Sequence, residues 1–233
     1  MNLIKPKKGL GQNFLIDKNV IDLIIDAGDI EKNDVVFEVG PGTGNLTEKI
    51  LSKNPKKIFT VEKDKILAKK LVEKFKDKIF MINKDILHIN EESLSDRPMI
   101  VFGNLPYNIS TQILAKWIKI INLNKTFKRF ILMFQKEVGE RIVADTNKKN
   151  YGRLSILTSW RMNVKKITDV SPKSFFPIPK VKSTILLIEP KIKHYNLKNP
   201  KNLEYITSVF FNQRRKMIKK PLNTLFKNTN ELS

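Results

Sequence analysis

The chain has no cysteine. That excludes disulfides, a thiol nucleophile and any zinc site built on cysteine. Its two histidines, His88 and His194, lie far apart, and neither is assigned a metal or catalytic role. The zinc signature of nucleobase deaminases is missing as well. No metal site is expected. There is no run of 18 apolar residues and no apolar signal core at the N-terminus, so no membrane segment is expected and the protein reads as soluble and cytoplasmic. No internal repeat is present. Acidic residues are scarce: Asp+Glu number 23 against 44 Lys+Arg, a net charge of +21. Such a surplus points to a polyanionic partner, most simply nucleic acid. A basic protein of the membrane surface is the other option, but no long Lys-rich amphipathic helix stands out. Lysine far outnumbers arginine and asparagine is abundant, so compositional bias accounts for part of the charge.

What remains is enough for a full core. A chain of 233 residues suits one large domain with a small appendage. Its first two-thirds alternate short apolar runs with amphipathic stretches, the pattern of a doubly wound, mostly parallel sheet. Asp17 caps a helix with Val20, Ile21, Ile24 and Ile25 on one side, and Gly28 ends it. The first buried strand, residues 35–39, runs into Gly40-Pro41-Gly42-Thr43-Gly44. Alternating glycines let the backbone approach a ligand at a helix N-terminus. Dinucleotide enzymes share that device, but the Gly-x-Gly-x-Gly spacing, with Glu38 two residues ahead, fits S-adenosylmethionine enzymes better. The second strand ends in Glu62, about 20 residues after the loop, the separation at which a carboxylate meets ribose hydroxyls. The competing reading is a surface Glu opening the next helix, which turns Leu67, Leu71 and Phe75 inward. The third strand, residues 79–82, ends near Asp85 and Ile86. Asp85 can accept from an adenine amine and Ile86 can cover its ring; alternatively Asp85 is only a turn residue.

The fourth strand, residues 99–102, runs into Gly103-Asn104-Leu105-Pro106-Tyr107, and Ser110 then caps a helix carrying Ile113, Leu114, Trp117, Ile118 and Ile121. Asn104 thus stands at the carboxyl end of a strand, where open α/β sheets bind ligands. The residues suit alkylation of a planar amine. The exocyclic nitrogen of adenine is a poor nucleophile because its lone pair is delocalised into the ring. The Asn104 side-chain oxygen and the Leu105 carbonyl can accept both its N–H bonds and aim the lone pair out of the plane. Pro106 stiffens the turn, and Tyr107 offers a face for stacking. The plain alternative is an ordinary strand-to-helix turn.

A fifth strand spans residues 130–134, with a helix to about Ala144, a polar loop over 145–150, a helical stretch over 151–160 and two late strands over 164–170 and 184–188. Between these strands, Phe175-Phe176-Pro177-Ile178-Pro179-Lys180-Val181 is held extended by its prolines. It presents an aromatic where a flipped base could stack, or else buries one as a loop anchor. Residues 190–200 read as a linker. Asn199-Pro200 then starts a helix with Leu203, Ile206, Val209 and Phe210 inward. That helix ends in Gln213-Arg214-Arg215-Lys216, a basic cluster suited to an RNA backbone. Residues 1–9, with Lys5, Lys7 and Lys8, form a basic arm that touches phosphates or is merely solvated.

Taken together, Gly-Gln-Asn-Phe-Leu (11–15), Glu-Val-Gly-Pro-Gly-Thr-Gly (38–44), Gly-Asn-Leu-Pro-Tyr-Asn-Ile-Ser (103–110), Leu-Met-Phe-Gln-Lys-Glu-Val (132–138), Tyr-Gly-Arg-Leu-Ser (151–155), Phe-Phe-Pro-Ile-Pro-Lys-Val-Lys-Ser (175–183) and Phe-Asn-Gln-Arg-Arg-Lys (211–216) resemble the KsgA-type ribosomal RNA adenine dimethyltransferases. The resemblance spans residues 7 to about 222. It implies a Rossmann-like methyltransferase sheet of seven strands, the last antiparallel, over residues 1–190, and a short, curtailed helical domain over 191–233. It implies S-adenosyl-L-methionine as methyl donor. The implied substrate is a pair of adjacent adenosines near the 3′ end of 16S rRNA in the immature small subunit, each converted to N6,N6-dimethyladenosine by a monomeric enzyme. Matched by motif, cofactor contacts fall on Asn13, Leu15, Gly40, Gly42, Glu62, Asp85, Ile86 and Asn104. The target adenine falls to Asn104, Leu105, Tyr107 and Phe175, and RNA to Arg214, Arg215 and Lys216. Two other readings stand beside this one. An erythromycin-resistance-type enzyme would act on 23S rRNA, although such enzymes often carry Asn-Ile-Pro-Tyr where this chain has Asn-Leu-Pro-Tyr. A non-catalytic RNA-binding assembly factor would not need Glu62, Asp85, Asn104 and Tyr107 intact.

Overall fold

The computed structural model describes residues 6–226; Lys5 of the basic arm lies outside them. In chain order the elements are β1 (Phe14–Leu15), α1 (Lys18–Gly28), β2 (Val35–Val39), α2 (Asn45–Ser52), β3 (Lys57–Val61), α3 (Lys65–Phe75), β4 (Phe80–Ile82), β5 (Met99–Asn104), α4 (Ser110–Ile118), α5 (Leu123–Thr126), β6 (Phe127–Gln135), α6 (Lys136–Ile142), α7 (Arg153–Arg161), β7 (Met162–Val170), β8 (Phe175–Phe176), β9 (Ser183–Pro190), α8 (Pro200–Asn212) and α9 (Lys219–Leu225). Buried on both faces, β2 and β5 are largely apolar, as interior strands of a parallel sheet should be, with Glu38 the one charged residue within them.

Seven strands join in the order β4-β3-β2-β5-β6-β9-β7. The first five are mutually parallel; β9 runs antiparallel between β6 and β7. The sheet is therefore the doubly wound, Rossmann-like methyltransferase arrangement, with the last strand antiparallel and residues 35–39 inside it. After β2 the chain winds outward through β3 and β4, then returns to β2's other side as β5. The carboxyl ends of β2 and β5 flank this reversal, the place where such sheets open a crevice. Two apolar layers fill the faces. One gathers Phe37, Val101, Trp117, Phe127 and Phe130; the other gathers Ile24, Ile25, Val36, Phe102 and Phe175. Trp117 is thus core, and its indole N–H donates to Glu91 at 2.7 Å. Trp160 is only half-buried and donates to the Tyr195 carbonyl. Among the described residues no helix is long and apolar enough to cross a membrane.

Several local expectations need correction. Asp17 does cap α1, accepting from the Asn19 and Val20 amides, but the left-handed stop falls on Asp29 (φ 50), one residue after Gly28. Ser110 is the first residue of α4, not its cap. Its hydroxyl bonds back to the Tyr107 carbonyl at 3.3 Å, tying the helix start to the loop before it. The same helix stops at Ile118, so Ile121 lies beyond it and is 85% exposed. On α8 the inward side carries Thr207 and Val209, and Ile206 is exposed. Thr207 can sit inward because its hydroxyl bonds the Leu203 carbonyl one turn back. Finally, α8 ends at Asn212, and residues 213–215 form a turn leading to α9.

Candidate active site

A cavity of about 170 Å³ opens over the carboxyl ends of β2, β3 and β5. The strand-helix alternation explains its position: each parallel strand delivers one polar residue to the same edge before the chain turns into a helix. Asn13, Leu15, Gly40, Gly42, Glu62, Asp85, Ile86, Asn104, Leu105 and Tyr107 all line it. Residues 9–14, which belong to no strand of the seven-stranded sheet, line it as well.

The glycine loop is shaped by backbone sterics. Gly40 and Gly42 adopt φ +69 and +59, a region that side chains disfavour. A Cβ on Gly42 would also lie 2.8 Å from the Phe14 ring. Glu62 faces this loop. Its carboxylate accepts from the Asp64 amide at 2.8 Å and, more weakly, from the Gly42 amide at 3.4 Å. Burial lifts its pKa above the usual carboxylate range despite these bonds. Asp85 is the opposite case. The Lys63 ammonium, 2.8 Å away, and the Leu87 amide hold it below its ordinary value.

Asn104 ends β5 with its side chain oriented by one strong contact. Its amide nitrogen donates to the Asn13 carbonyl at 2.7 Å, which leaves the side-chain oxygen as the acceptor on offer. Tyr107 is fixed at its far end, where its hydroxyl lies 2.6 Å from the Ser183 hydroxyl, and burial raises its pKa. The Leu105 side chain is buried under the turn, so its backbone follows the packing of the core.

Two sets of assigned residues stand elsewhere. Phe175 does not line the cavity: its ring is 1% exposed, within the core layer of Leu15, Ile25 and Phe102. Strand geometry separates it from Phe176, because neighbours along a strand point to opposite sides. In the β1–β8 ribbon Leu15 faces Phe175 and Phe14 faces Phe176, and facing residues share a side. The anchor reading therefore holds for Phe175, and Phe176, 51% exposed, is the aromatic that reaches solvent. Arg214, Arg215 and Lys216 lie outside the cavity lining, exposed in the turn after α8. Of the three, Arg214 donates to the carbonyls of Lys149 and Tyr151, so its guanidinium has an internal task.

Sequence reasoning left Glu38 without a place in the site. It lines the cavity at 1% exposure. One oxygen accepts from Thr47 at 2.7 Å and the other has no partner. Burial pushes its carboxyl up to about 8, against the pull of Thr47 and with a smaller push from Glu62. Asp64 was also missed. It caps α3 and receives Lys7 (2.9 Å) and Gln12 (3.1 Å), latching the arm over the cavity. The signal for Ser183 was present in the sequence, since it closes the 175–183 motif. Among the described residues no cluster of His, Cys, Asp or Glu could hold a metal ion.

Comparison with known proteins bears on this arrangement. Residues 4–233 match the family described as ribosomal RNA adenine dimethylase. The ribosomal RNA small subunit methyltransferase A of Pelagibacter ubique is 56% identical over 230 residues, 99% of this chain and 87% of that protein. Its namesake from a Wolbachia of Drosophila simulans is 42% identical, over 97% of this chain and 84% of that one. A dimethyladenosine transferase from Plasmodium falciparum superposes with TM-score 0.76 at 31% identity, over 93% of this chain and 76% of that one. The 23S rRNA methyltransferase ErmE superposes with TM-score 0.73 at 24% identity, over 90% and 83% respectively. At that identity the likeness is one of fold.

Proposed function

Since the chain belongs to the ribosomal RNA adenine dimethylase family, we propose that it transfers methyl groups from S-adenosyl-L-methionine to N6 of two adjacent adenosines near the 3′ end of 16S rRNA. It would act in the cytoplasm, as a monomer, on the immature small subunit. The observation that carries this reading is the Asn104 amide: its nitrogen is held by the Asn13 carbonyl, so its oxygen stands as an acceptor beside the cavity. The cavity suits the cofactor. It offers a glycine loop without side chains at the close approach, carboxylates in the segments that follow two successive strands, and a buried Glu38 oxygen lacking a partner. When bound, S-adenosyl-L-methionine supplies an electrophilic methyl on a sulfonium.

The protein's own part is positioning and electrostatics. Glu62 accepts ribose hydroxyls; Asp85 accepts the cofactor's adenine amine while Ile86 covers its ring. Asn104 Oδ1 and the Leu105 carbonyl accept the two N–H bonds of the target amine, and Tyr107, steadied by Ser183, gives the base a face. No strong base is required, because the amine loses its proton readily once alkylated. The test is labelled methyl transfer to immature small subunits and to large subunits, followed by mapping of the modified base. Label confined to N6 of adjacent adenosines in 16S rRNA is expected; label in 23S rRNA would overturn the assignment.

Glu62→Ala should weaken cofactor binding at least about tenfold, the consequence of losing a charged acceptor. Calorimetric titration checks it, and an unchanged dissociation constant would remove Glu62 from the ribose contact. RNA binding should depend steeply on salt, given +21. Each phosphate contact contributes about −0.7 to −0.9 to the log–log slope, so roughly six contacts give about −4 to −5. Arg215→Ala should flatten the slope by about one contact's worth and leave cofactor affinity alone. A flat titration of the unmodified protein would make the surplus charge generic.

A further inference from the structure

The wall of the cavity formed by Asp85 and Ile86 has no strand to support it. After β4 the chain makes a single 3-10 turn, Ile86–His88, capped by Asp85, and then leaves for a second one, Glu91–Ser93. Beyond its own short bonds, from the His88 amide to the Asp85 carbonyl and the Ile89 amide to the Ile86 carbonyl, it is braced from outside. The Lys116 ammonium, on α4, reaches across and donates to three acceptors: the Ile86 carbonyl at 2.9 Å, the Ile89 carbonyl at 2.6 Å and Glu91 Oε1 at 2.7 Å. Glu91 is 1% exposed, and the same oxygen takes the Trp117 indole N–H. An ammonium has three N–H donors, and here the three acceptors match them. Lys116 is thereby spent internally, unlike the many solvated lysines of this surface.

We propose that Lys116 is a positioning residue for the cofactor's adenine pocket, clamping the 86–89 turn so that Asp85 and Ile86 hold one geometry. The inference rests on the reading of the cavity as the S-adenosyl-L-methionine site. α4 makes the clamp precise at both ends. Its first residue, Ser110, bonds the Tyr107 carbonyl, and its second turn carries Lys116. One short helix therefore joins the loop that receives the target base to the turn that receives the cofactor's adenine. Rigid support of this kind sets how much of a ligand's binding energy is realised rather than spent on ordering a loop.

The chemistry of the pair allows a clean test. Lys116→Met alone leaves the Glu91 carboxylate buried without its cation, which threatens folding. The double variant Lys116→Met/Glu91→Gln removes the clamp and leaves no unpaired charge, while the amide oxygen it places at position 91 can still accept from Trp117. Glu91→Gln alone keeps the Lys116 bonds to the Ile86 and Ile89 carbonyls. Binding of S-adenosyl-L-methionine is measured by calorimetry, and turnover on immature small subunits at saturating cofactor is measured in parallel. The double variant should bind cofactor on the order of tenfold more weakly, with kcat at saturation and RNA affinity near those of the unmodified protein. Glu91→Gln should bind nearly as the unmodified protein does. Equal cofactor affinity in the double variant and the unmodified protein would overturn the proposal. So would a fall in kcat with cofactor affinity unchanged. In the unmodified protein, the amides of residues 88 and 89 should be protected from hydrogen exchange well beyond those of an isolated turn; rapid exchange there would also overturn it, whatever the variants do. Failure of the unmodified protein to bind the cofactor at all would instead sink the reading of the cavity.

Discussion

Asn104→Ala should slow methyl transfer by on the order of 10²- to 10³-fold while changing RNA affinity little. The size follows from what the side chain does. Its oxygen accepts one N–H of the target amine, and that bond strengthens as positive charge develops on the nitrogen during attack on the methyl. An interaction that grows toward the transition state appears in the rate and not in ground-state binding. RNA affinity, by contrast, is spread over phosphate contacts across a basic surface. The Asn104 amide is held by the Asn13 carbonyl, so Asn104→Asp is an instructive companion. A carboxylate cannot donate to that carbonyl; the two oxygens would repel, and the acceptor would be displaced although chemically retained. Both variants should therefore fail in single-turnover methylation of the small subunit, with binding measured alongside. If Asn104→Ala kept its rate while RNA binding collapsed, Asn104 would be a docking residue and the mechanism would be wrong at its centre.

The legible parts of this molecule were those where one local rule dominates. The parallel strands announce themselves as largely apolar runs, and polar residues stand at or shortly after their carboxyl ends. Glu62, Asp85 and Asn104 could thus be placed at one sheet edge from spacing alone, and they do line one cavity. What escaped depends on partners distant in sequence. Glu38 looked like a loop-flanking acid; its buried, half-satisfied state depends on Thr47 and on the closeness of Glu62. Lys116 resembled any helix-surface lysine, because its three acceptors lie 25 to 30 residues earlier in the chain. Phe175 and Phe176 illustrate the same limit. Two adjacent aromatics on a strand point to opposite sides, and which side meets the core depends on residues far away in sequence, such as Ile25 and Phe102 packed in the layer with Phe175. The error at Ile121 was one of extrapolation: helical periodicity continued past a helix that ends at Ile118.

Glu38→Gln should stabilise the protein in alkaline solution and be nearly neutral in mild acid. The Glu38 carboxyl is 1% exposed, with one oxygen unpartnered, and burial raises it from 4.5 to about 8. The folded state therefore holds a proton that the unfolded chain has already lost between pH 4.5 and 8. Stability falls with pH wherever the folded state binds more protons. The favourable contribution of the neutral carboxyl is thus whole below pH 4.5 and is lost as pH rises through 8. The substituted amide is neutral throughout, and its carbonyl can still accept from Thr47. At pH 9 the variant should exceed the unmodified protein by a few kcal/mol, about 5–10 °C in Tm; at pH 5 the two should nearly coincide. Other titrating groups are common to both proteins, so the change in their difference between the two pH values isolates Glu38. A difference in Tm that stays constant from pH 5 to 9 would mean that Glu38 is ionised throughout. Saturating S-adenosyl-L-methionine should narrow the gap at pH 9, because cationic groups seated in the cavity would offset the charge that burial makes costly.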